Sequence, residues 1–246
     1  MDYTNILAVK LDLPIDNDKI TSEILSCQEY WKYTPAKISQ LERGLSGDWF
    51  LSSDIADYRT VDYGIPNYKL QQLDIVEREL RGPSMFYLTE HVDANTINDR
   101  YDQTKTYKLD GWSWQKQLTD RIPYTKSVIE SYFEKVGCVR VFVMPNTFLV
   151  THQDYNFEAT ADEVSADYDR CLGLSLIPSD GGVPMKIWSR KLQHVVDVPG
   201  NAMIFNDSVR HGVPKTTGYR ITIRIFGKVN YEQFTKFIDP LHCYTI

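Results

Sequence analysis

From residue 137 onward the chain is written in short apolar runs separated by turn residues. The runs cover 139–144 (VRVFVM), 147–151 (TFLVT), 171–177 (CLGLSLI), 185–188 (MKIW), 194–198 (HVVDV), 202–205 (AMIF) and 219–226 (YRITIRIF). The breaks carry Pro145-Asn146, Ser179-Asp180-Gly181-Gly182, Pro199-Gly200-Asn201 and Thr217-Gly218, residues that suit turns. Short strands at this spacing predict an antiparallel sandwich or barrel, and one more extended stretch at about 208–213 brings the count to eight. Eight strands suit a jelly-roll, cupin-like double-stranded β-helix.

The first 136 residues read differently, as an α/β extension. Residues 6–13 (ILAVKLDL) predict a strand, and 16–33 a helix capped by Asp16 or Asn17 with Ile20, Ile24 and Leu25 on one face. Residues 34–66 read as loop, with Pro35, Gly44, Gly47, Gly64 and Pro66, while 67–80 suit a helix and 89–111 a polar loop. A further helix fits 122–136, opening near Pro123 and closing at Gly137. The organisation expected is one domain, 1–246, with flanking helices. In it, 1–136 buttresses a mainly β core at 137–228, followed by a tail at 229–246.

Composition narrows the partners. The 246 residues are 42% hydrophobic and 24% charged, enough for a sizeable core. Aromatics make up 13%, so a ring-rich core and pocket are expected. A net charge of −6 lacks the basic field that nucleic acid or an anionic membrane would need. Cys27, Cys138, Cys171 and Cys243 form no CxxC pair, which suits free thiols in a reducing compartment. The N-terminus has no basic segment followed by a long apolar one, and no apolar run approaches a membrane span. A soluble, cytoplasmic protein acting on a small molecule is the expectation.

The candidate chemistry lies at the strand ends. An iron(II) site that activates O₂ needs three protein ligands on one face and open positions opposite, a need met by two imidazoles and a carboxylate. His152-Gln153-Asp154 ends one predicted strand, and residues i and i+2 of a strand share a face. His211, much later, can supply the third ligand. Alone, His-x-Asp says little: His91-Val92-Asp93 also fits, and reads as a surface segment because no strand series follows it. Likewise His211 alone reads as a structural histidine, Asp154 as a turn cap and Arg220 as a surface charge. The order of the pieces is more specific. Nine residues after His211 comes Arg220, with Thr222 on the same strand face. A guanidinium fork and a hydroxyl suit the distal carboxylate of 2-oxoglutarate. Arg224 shares that face and is the alternative anchor.

Beyond these, Tyr155, Arg170, Trp188, Arg190 and Arg210 are candidates for a substrate pocket, with Trp188 also a candidate for core packing. Asp207 and Ser208 read as hydrogen-bonding supports of the loop before His211, and Trp49 and residues 89–111 as a lid.

The segment 137–228 resembles the aspartyl/asparaginyl β-hydroxylase family of Fe(II)- and 2-oxoglutarate-dependent oxygenases. The resemblance is carried by Leu172-Gly173-Leu174-Ser175-Leu176-Ile177-Pro178, by Ala202-Met203-Ile204-Phe205-Asn206-Asp207-Ser208, and by His211 and Arg220. Residues 6–12 and His152-Gln153-Asp154-Tyr155 are similar to free-amino-acid hydroxylases of the proline cis-4-hydroxylase type. The resemblance implies a double-stranded β-helix. It implies Fe(II), 2-oxoglutarate and O₂ as cofactor and cosubstrates, and a dioxygenase that hydroxylates an unactivated C–H bond with succinate and CO₂ as co-products. It also implies His152 and His211 as ligands and Arg220 as the oxo-acid anchor. Asp154 and Cys171 depart from the protein-modifying members, which lack the carboxylate ligand and carry a histidine before the LGL motif. That favours a free amino acid or small derivative as substrate. A peptide or protein side chain is the alternative, and a cupin-like isomerase or a non-catalytic metal-binding module is the rival from outside the family.

Overall fold

A computed structural model of the protein describes residues 6–33, 84–92, 111–145, 149–152, 172–189, 192–206, 211–214 and 216–245. The expected loop at 34–66 and helix at 67–80 lie outside the described residues, as do Trp49 and residues 93–110.

Eight strands form the barrel: β6 (Phe133–Pro145), β7 (Leu149–His152), β8 (Leu172–Asp180), β9 (Met185–Ser189), β10 (His194–Val198), β11 (Ala202–Asn206), β12 (His211–Val213) and β13 (Tyr219–Val229). One sheet contains β11-β8-β13-β6 and the other is β10-β9-β12-β7, every pair antiparallel. From β6 to β13 the described backbone therefore alternates between the two sheets, except that β9 and β10 are consecutive in one. That strand order is a double-stranded β-helix, as the spacing of apolar runs predicted.

The larger sheet is widened by flanking strands. At one edge lie β1 (Ile6–Leu11) and β14 (Ile238–Thr245), and at the other β3 (Ser84–Tyr87) and β2 (Lys32–Tyr33). The segment expected as a tail thus carries a short helix, α4 (Tyr231–Phe234), and then β14, which pairs with β1. Phe234 is buried and stacks on Tyr132, ring centroids 5.0 Å apart.

Alternation along the strands makes two cores. On the outer face of the larger sheet, Val139, Val141, Val143, Ile221, Ile223 and Ile225 pack with Ile20, Ile24, Ile122 and Ile129 of the helical layer. On its inner face Met144, Ile177, Met203 and Phe205 meet Met185, Ile187, Val196 and Val213 of the smaller sheet. The functional candidates lie in this inter-sheet layer.

The helices are shorter than the sequence suggests. Helix α1 spans Asn17–Leu25, with Asp16 Oδ1 accepting the Lys19 N–H at 2.9 Å as its cap. It does not run to Tyr33, because Lys32 and Tyr33 pair with Met85 and Ser84. Ile20 and Ile24 are buried as expected, but Leu25 is exposed. After a short helix α2 (Lys116–Thr119), α3 spans Pro123–Tyr132 and is not extended to 136. Its first turn is capped from outside, since the Glu23 carboxylate accepts the N–H groups of Tyr124 and Thr125 at 2.9 and 2.7 Å. From Phe133 the ladder to β13 takes over, with Val229 paired to Phe133. The expected loop at 89–111 begins instead with β4 (Thr89–His91), which pairs with β5 (Trp112–Trp114).

Candidate functional site

Strand β12 is three residues long and is paired on both sides. His211 stands opposite Ile187 of β9 and opposite His152 of β7. Paired residues of antiparallel strands lie side by side on one face, with Cα atoms about 4.5–5.5 Å apart. Ile187 is wholly buried in the inter-sheet core, so the His211 imidazole belongs to the barrel interior, and it is only 2% exposed. Its ring meets the edge of Phe205 at 4.9 Å between centroids. His152 holds the register position across from it and closes β7.

Asp154, two residues further, lies outside the described residues, as do Tyr155, Arg170, Arg190, Asp207, Ser208 and Arg210. Among the described residues no three potential metal ligands cluster. Two of the three expected ligands are therefore brought to paired positions, and the third belongs to the segment that follows β7.

Arg220 opens the inward-facing series of β13. It alternates with Ile221, Ile223 and Ile225 of the outer core and pairs with the inward Met144. Only 1% exposed, it is not the surface charge it could have been. Nη1 donates to the carbonyls of Asp180 and Val183 at 3.0 and 2.7 Å, while Nε is buried with no acceptor among the described residues. The turn it grips is the Gly181-Gly182 corner, where both glycines adopt positive φ (64° and 76°). A Cβ at Gly181 would run into Thr216 and the Arg220 stem, at 2.8 and 3.1 Å. Burial brings the Arg220 pKa down to about 10, with the Asp180 carboxylate acting in the opposite direction. The group remains a cation at neutral pH, and its acceptors among the described residues are neutral carbonyls.

Thr222 and Arg224 follow on the same face. Arg224, 6% exposed, donates from Nη1 to the Gly173 carbonyl at 2.6 Å and the Ser175 hydroxyl at 3.2 Å. Its guanidinium carbon lies 4.1 Å from the centre of the Phe205 ring and 5.2 Å from that of Phe226. Phe205 thus contacts both Arg224 and His211.

No family model and no curated protein sequence matches the protein. The solved structures similar in outline include three at 11–14% identity. A prolyl hydroxylase from Trichoplax adhaerens, in complex with a hypoxia inducible factor oxygen degradation domain peptide fragment, is 11% identical with a TM-score of 0.46, over 94% of the present sequence and 87% of that one. A Pseudomonas putida prolyl-4-hydroxylase is 14% identical with a TM-score of 0.32, over 85% and 98% of the two. An oxidoreductase of the 2OG-Fe(II) oxygenase family from Burkholderia pseudomallei is 12% identical with a TM-score of 0.30, over 66% and 78%. The fold assignment rests on the strand order described above.

Two candidates fall elsewhere. Trp188 is out of phase with the buried Ile187, so it lies half-buried on the face of the smaller sheet turned away from the barrel interior. Its position supports neither the pocket role nor packing in the core. His91, of the second His-x-Asp, is in β4 rather than in a loop, and its ring meets Trp112 at 5.3 Å, in a sheet separate from the barrel. The feature that sequence reasoning missed is Phe205 with Gly173. The signal for it is the shared inward parity of Arg220, Thr222 and Arg224, which places every second residue of β13 in one chamber.

Proposed function

We propose that the protein is an Fe(II)- and 2-oxoglutarate-dependent dioxygenase that hydroxylates an unactivated C–H bond of a free amino acid or a small derivative. The observation that carries this reading is the β7–β12 register, which sets His211 opposite His152 in a barrel whose next strand brings in the buried cation Arg220.

The residues fit the group. His152, Asp154 and His211 would hold the iron, two imidazoles and a carboxylate being a donor set that suits Fe(II) and leaves positions open. His211 is buried and its ring packs against that of Phe205. Arg220 would take the distal carboxylate of 2-oxoglutarate, to which its unfilled Nε–H and desolvated charge are suited, with Thr222 as a second donor. The carbonyls of Asp180 and Val183 hold the fork in place before the oxo-acid arrives. Bound iron, with 2-oxoglutarate and O₂, supplies the oxidising power and yields succinate and CO₂ as co-products.

A cytoplasmic setting agrees with the unpaired thiols of Cys27, Cys138 and Cys243. No described helix is long and apolar enough to cross a membrane.

The test is succinate formation by the purified protein given Fe(II), ascorbate, 2-oxoglutarate and a panel of free amino acids. The expected result is iron-dependent succinate that rises with at least one amino acid. Absence of both succinate and metal-dependent 2-oxoglutarate binding would sink the reading in favour of a cupin-like protein of another kind.

A further inference from the structure

Backbone pairing fixes where the His211 side chain starts but not how its ring is turned. Strand β12 is held on both sides, so the backbone of His211 is set by Ile187 and His152 across the rung. Rotation of an imidazole about χ2 is broad and roughly two-fold, so a ladder leaves open which ring edge faces inward. A histidine that ligates through one nitrogen needs that angle held. The ring that packs on His211 is Phe205, with centroids 4.9 Å apart and planes at 65°, and both residues are buried. Contact of this edge-to-face kind is directional, because the face of an aromatic ring is negative and its rim positive.

Phe205 is itself held, from two strands away. In the order β11-β8-β13, Phe205 of β11 pairs with Gly173 of β8, and Arg224 of β13 pairs with Ser175, the next residue on the same face of β8. Arg224 crosses β8 on the diagonal. Its Nη1 donates to the Ser175 hydroxyl at 3.2 Å and to the Gly173 carbonyl at 2.6 Å, and its guanidinium carbon comes to 4.1 Å from the centre of the Phe205 ring. The crossing passes over Gly173, where a Cβ would lie 2.7 Å from the Arg224 Cζ and 2.8 Å from its Nε. The φ of Gly173 is not positive, so what this glycine supplies is space. The stack uses the face of the guanidinium, so hydrogen bonds along its rim do not compete with it.

We propose that Gly173, Arg224 and Phe205 form a clamp that sets the plane of the His211 imidazole, with Phe205 as the positioning residue. The guanidinium fixes the Phe205 ring, and that ring fixes the histidine. This rests on the oxygenase reading above, in which His211 is an iron ligand, and adds to it what orients that ligand.

The experiment uses the full-length protein loaded with Co(II), whose paramagnetism moves the ring protons of each ligating histidine far outside the ordinary proton NMR range. Wild-type protein should give one set of shifted signals from His152 and one from His211, assigned from His152→Ala and His211→Gln at saturating Co(II), each of which lacks one set. Phe205→Met fills similar space without a ring. It should move or broaden the His211 set, leave the His152 set in place, and weaken Co(II) binding by about tenfold, as loss of an orienting group does. Phe205→Tyr keeps a ring and should restore the His211 set, with Co(II) affinity within about threefold of wild type. Gly173→Ala and Arg224→Lys act from the far end of the clamp, the first by displacing the guanidinium and the second by keeping its charge without its plane. Neither alters Phe205 or His211, and both should disturb the His211 set selectively, which keeps the clamp testable if Phe205→Met fails to fold.

An unchanged His211 set in a folded Phe205→Met protein overturns the proposal, as does an unchanged set in both Gly173→Ala and Arg224→Lys. So does a parallel shift of both histidine sets, which would report a general loosening of the barrel. A wild-type protein that takes up no Co(II), or shows no His211 set, overturns the metal-site reading and the clamp with it.

Discussion

His211 and His152 are register partners across the β7–β12 pair, and His211 is simultaneously paired to the buried Ile187. Two strands that are remote in sequence thereby deliver two histidines to one rung of the smaller sheet. The expected consequence is that His211→Gln and His152→Ala each weaken Mn(II) or Co(II) binding by roughly 100-fold or more, since losing groups that merely orient a ligand already costs about 10- to 100-fold. Trp188→Phe, on the opposite face of the same sheet, should leave metal affinity unchanged. Metal titration followed by calorimetry or by the Co(II) absorption bands checks this, and tight binding by the His211 variant would contradict it.

Arg220 should separate function from stability. Among the described residues the Arg220 guanidinium meets only backbone carbonyls as hydrogen-bond acceptors and its Nε is unfilled, an arrangement that burial alone disfavours. Arg220→Met keeps the stem and removes the charge, so 2-oxoglutarate affinity should fall roughly 10- to 100-fold while Tm falls by no more than a few degrees. Calorimetry and thermal unfolding on the same samples give both numbers. A large loss of Tm with unchanged 2-oxoglutarate affinity would make Arg220 a structural residue instead.

The barrel was legible because each of its strands is a local apolar run bounded by turn residues, and the two-residue period puts half of each run in a core. Arg220 was legible for the same reason, lying near the start of such a run, whereas His211 sits in no apolar run and was read from its spacing to Arg220. What the sequence hid depends on partners far along the backbone. Residues 238–245 contain Asp239, Pro240 and His242 and show no apolar run, yet they pair with β1 at the far end of the sequence. Lys32 and Tyr33 continue a helical pattern until Met85 and Ser84 offer them a ladder. Phe133 to Val136 likewise read as the last turn of a helix, and only the pairing with β13 makes them strand. In the site, the glycine of the LGL motif is visible in sequence, but its reason, the Arg224 guanidinium packed where a Cβ would be, comes from a strand 51 residues away.

Gly227 marks the bulge where β13 slips against β6, between the Ile225–Val139 and Gly227–Val136 pairs. A Cβ there would collide with the Lys135 carbonyl oxygen and crowd the Phe133 ring at 2.8 Å. A backbone carbonyl fixed in a ladder has no rotamer by which to swing away. Gly227→Ala should therefore destabilise the fold by about 2 kcal/mol or more, within the range of overpacking substitutions. Gly218→Ala meets nothing within 4 Å, so its cost should come only from its φ of 156°, a backbone conformation that side chains rarely adopt, and should be smaller than that of the collision. Chemical denaturation of the two variants side by side is the check, and equal stability would refute the collision.

The edge formed by β1 and β14 should loosen in acid. Asp239 accepts from Lys10 Nζ at 2.9 Å and from the Leu241 N–H at 2.9 Å, and His242 Nδ1 lies 2.9 Å from the same carboxylate. The Lys10 hydrogen bond, followed by the His242 and Leu241 bonds, holds the Asp239 carboxyl well below the usual carboxylate range. A carboxyl whose pKa is depressed in the folded state contributes stability that is fully present above its unfolded value, about 3.9, and is lost as pH falls from there toward the folded value. Lys10 has the complementary shift, upward and chiefly through Asp239, so its share is present below the ordinary lysine range for as long as Asp239 stays ionised. The pair therefore ties β14 to β1 throughout the neutral range and releases it below about pH 4. Amide exchange of residues 241–244, corrected for intrinsic rates, should accelerate as pH drops through that window and show no such step in Asp239→Asn, where exchange should already be faster at neutral pH. Protection that is flat from pH 6 to pH 3 in the wild-type protein would show that the backbone ladder alone holds the strand.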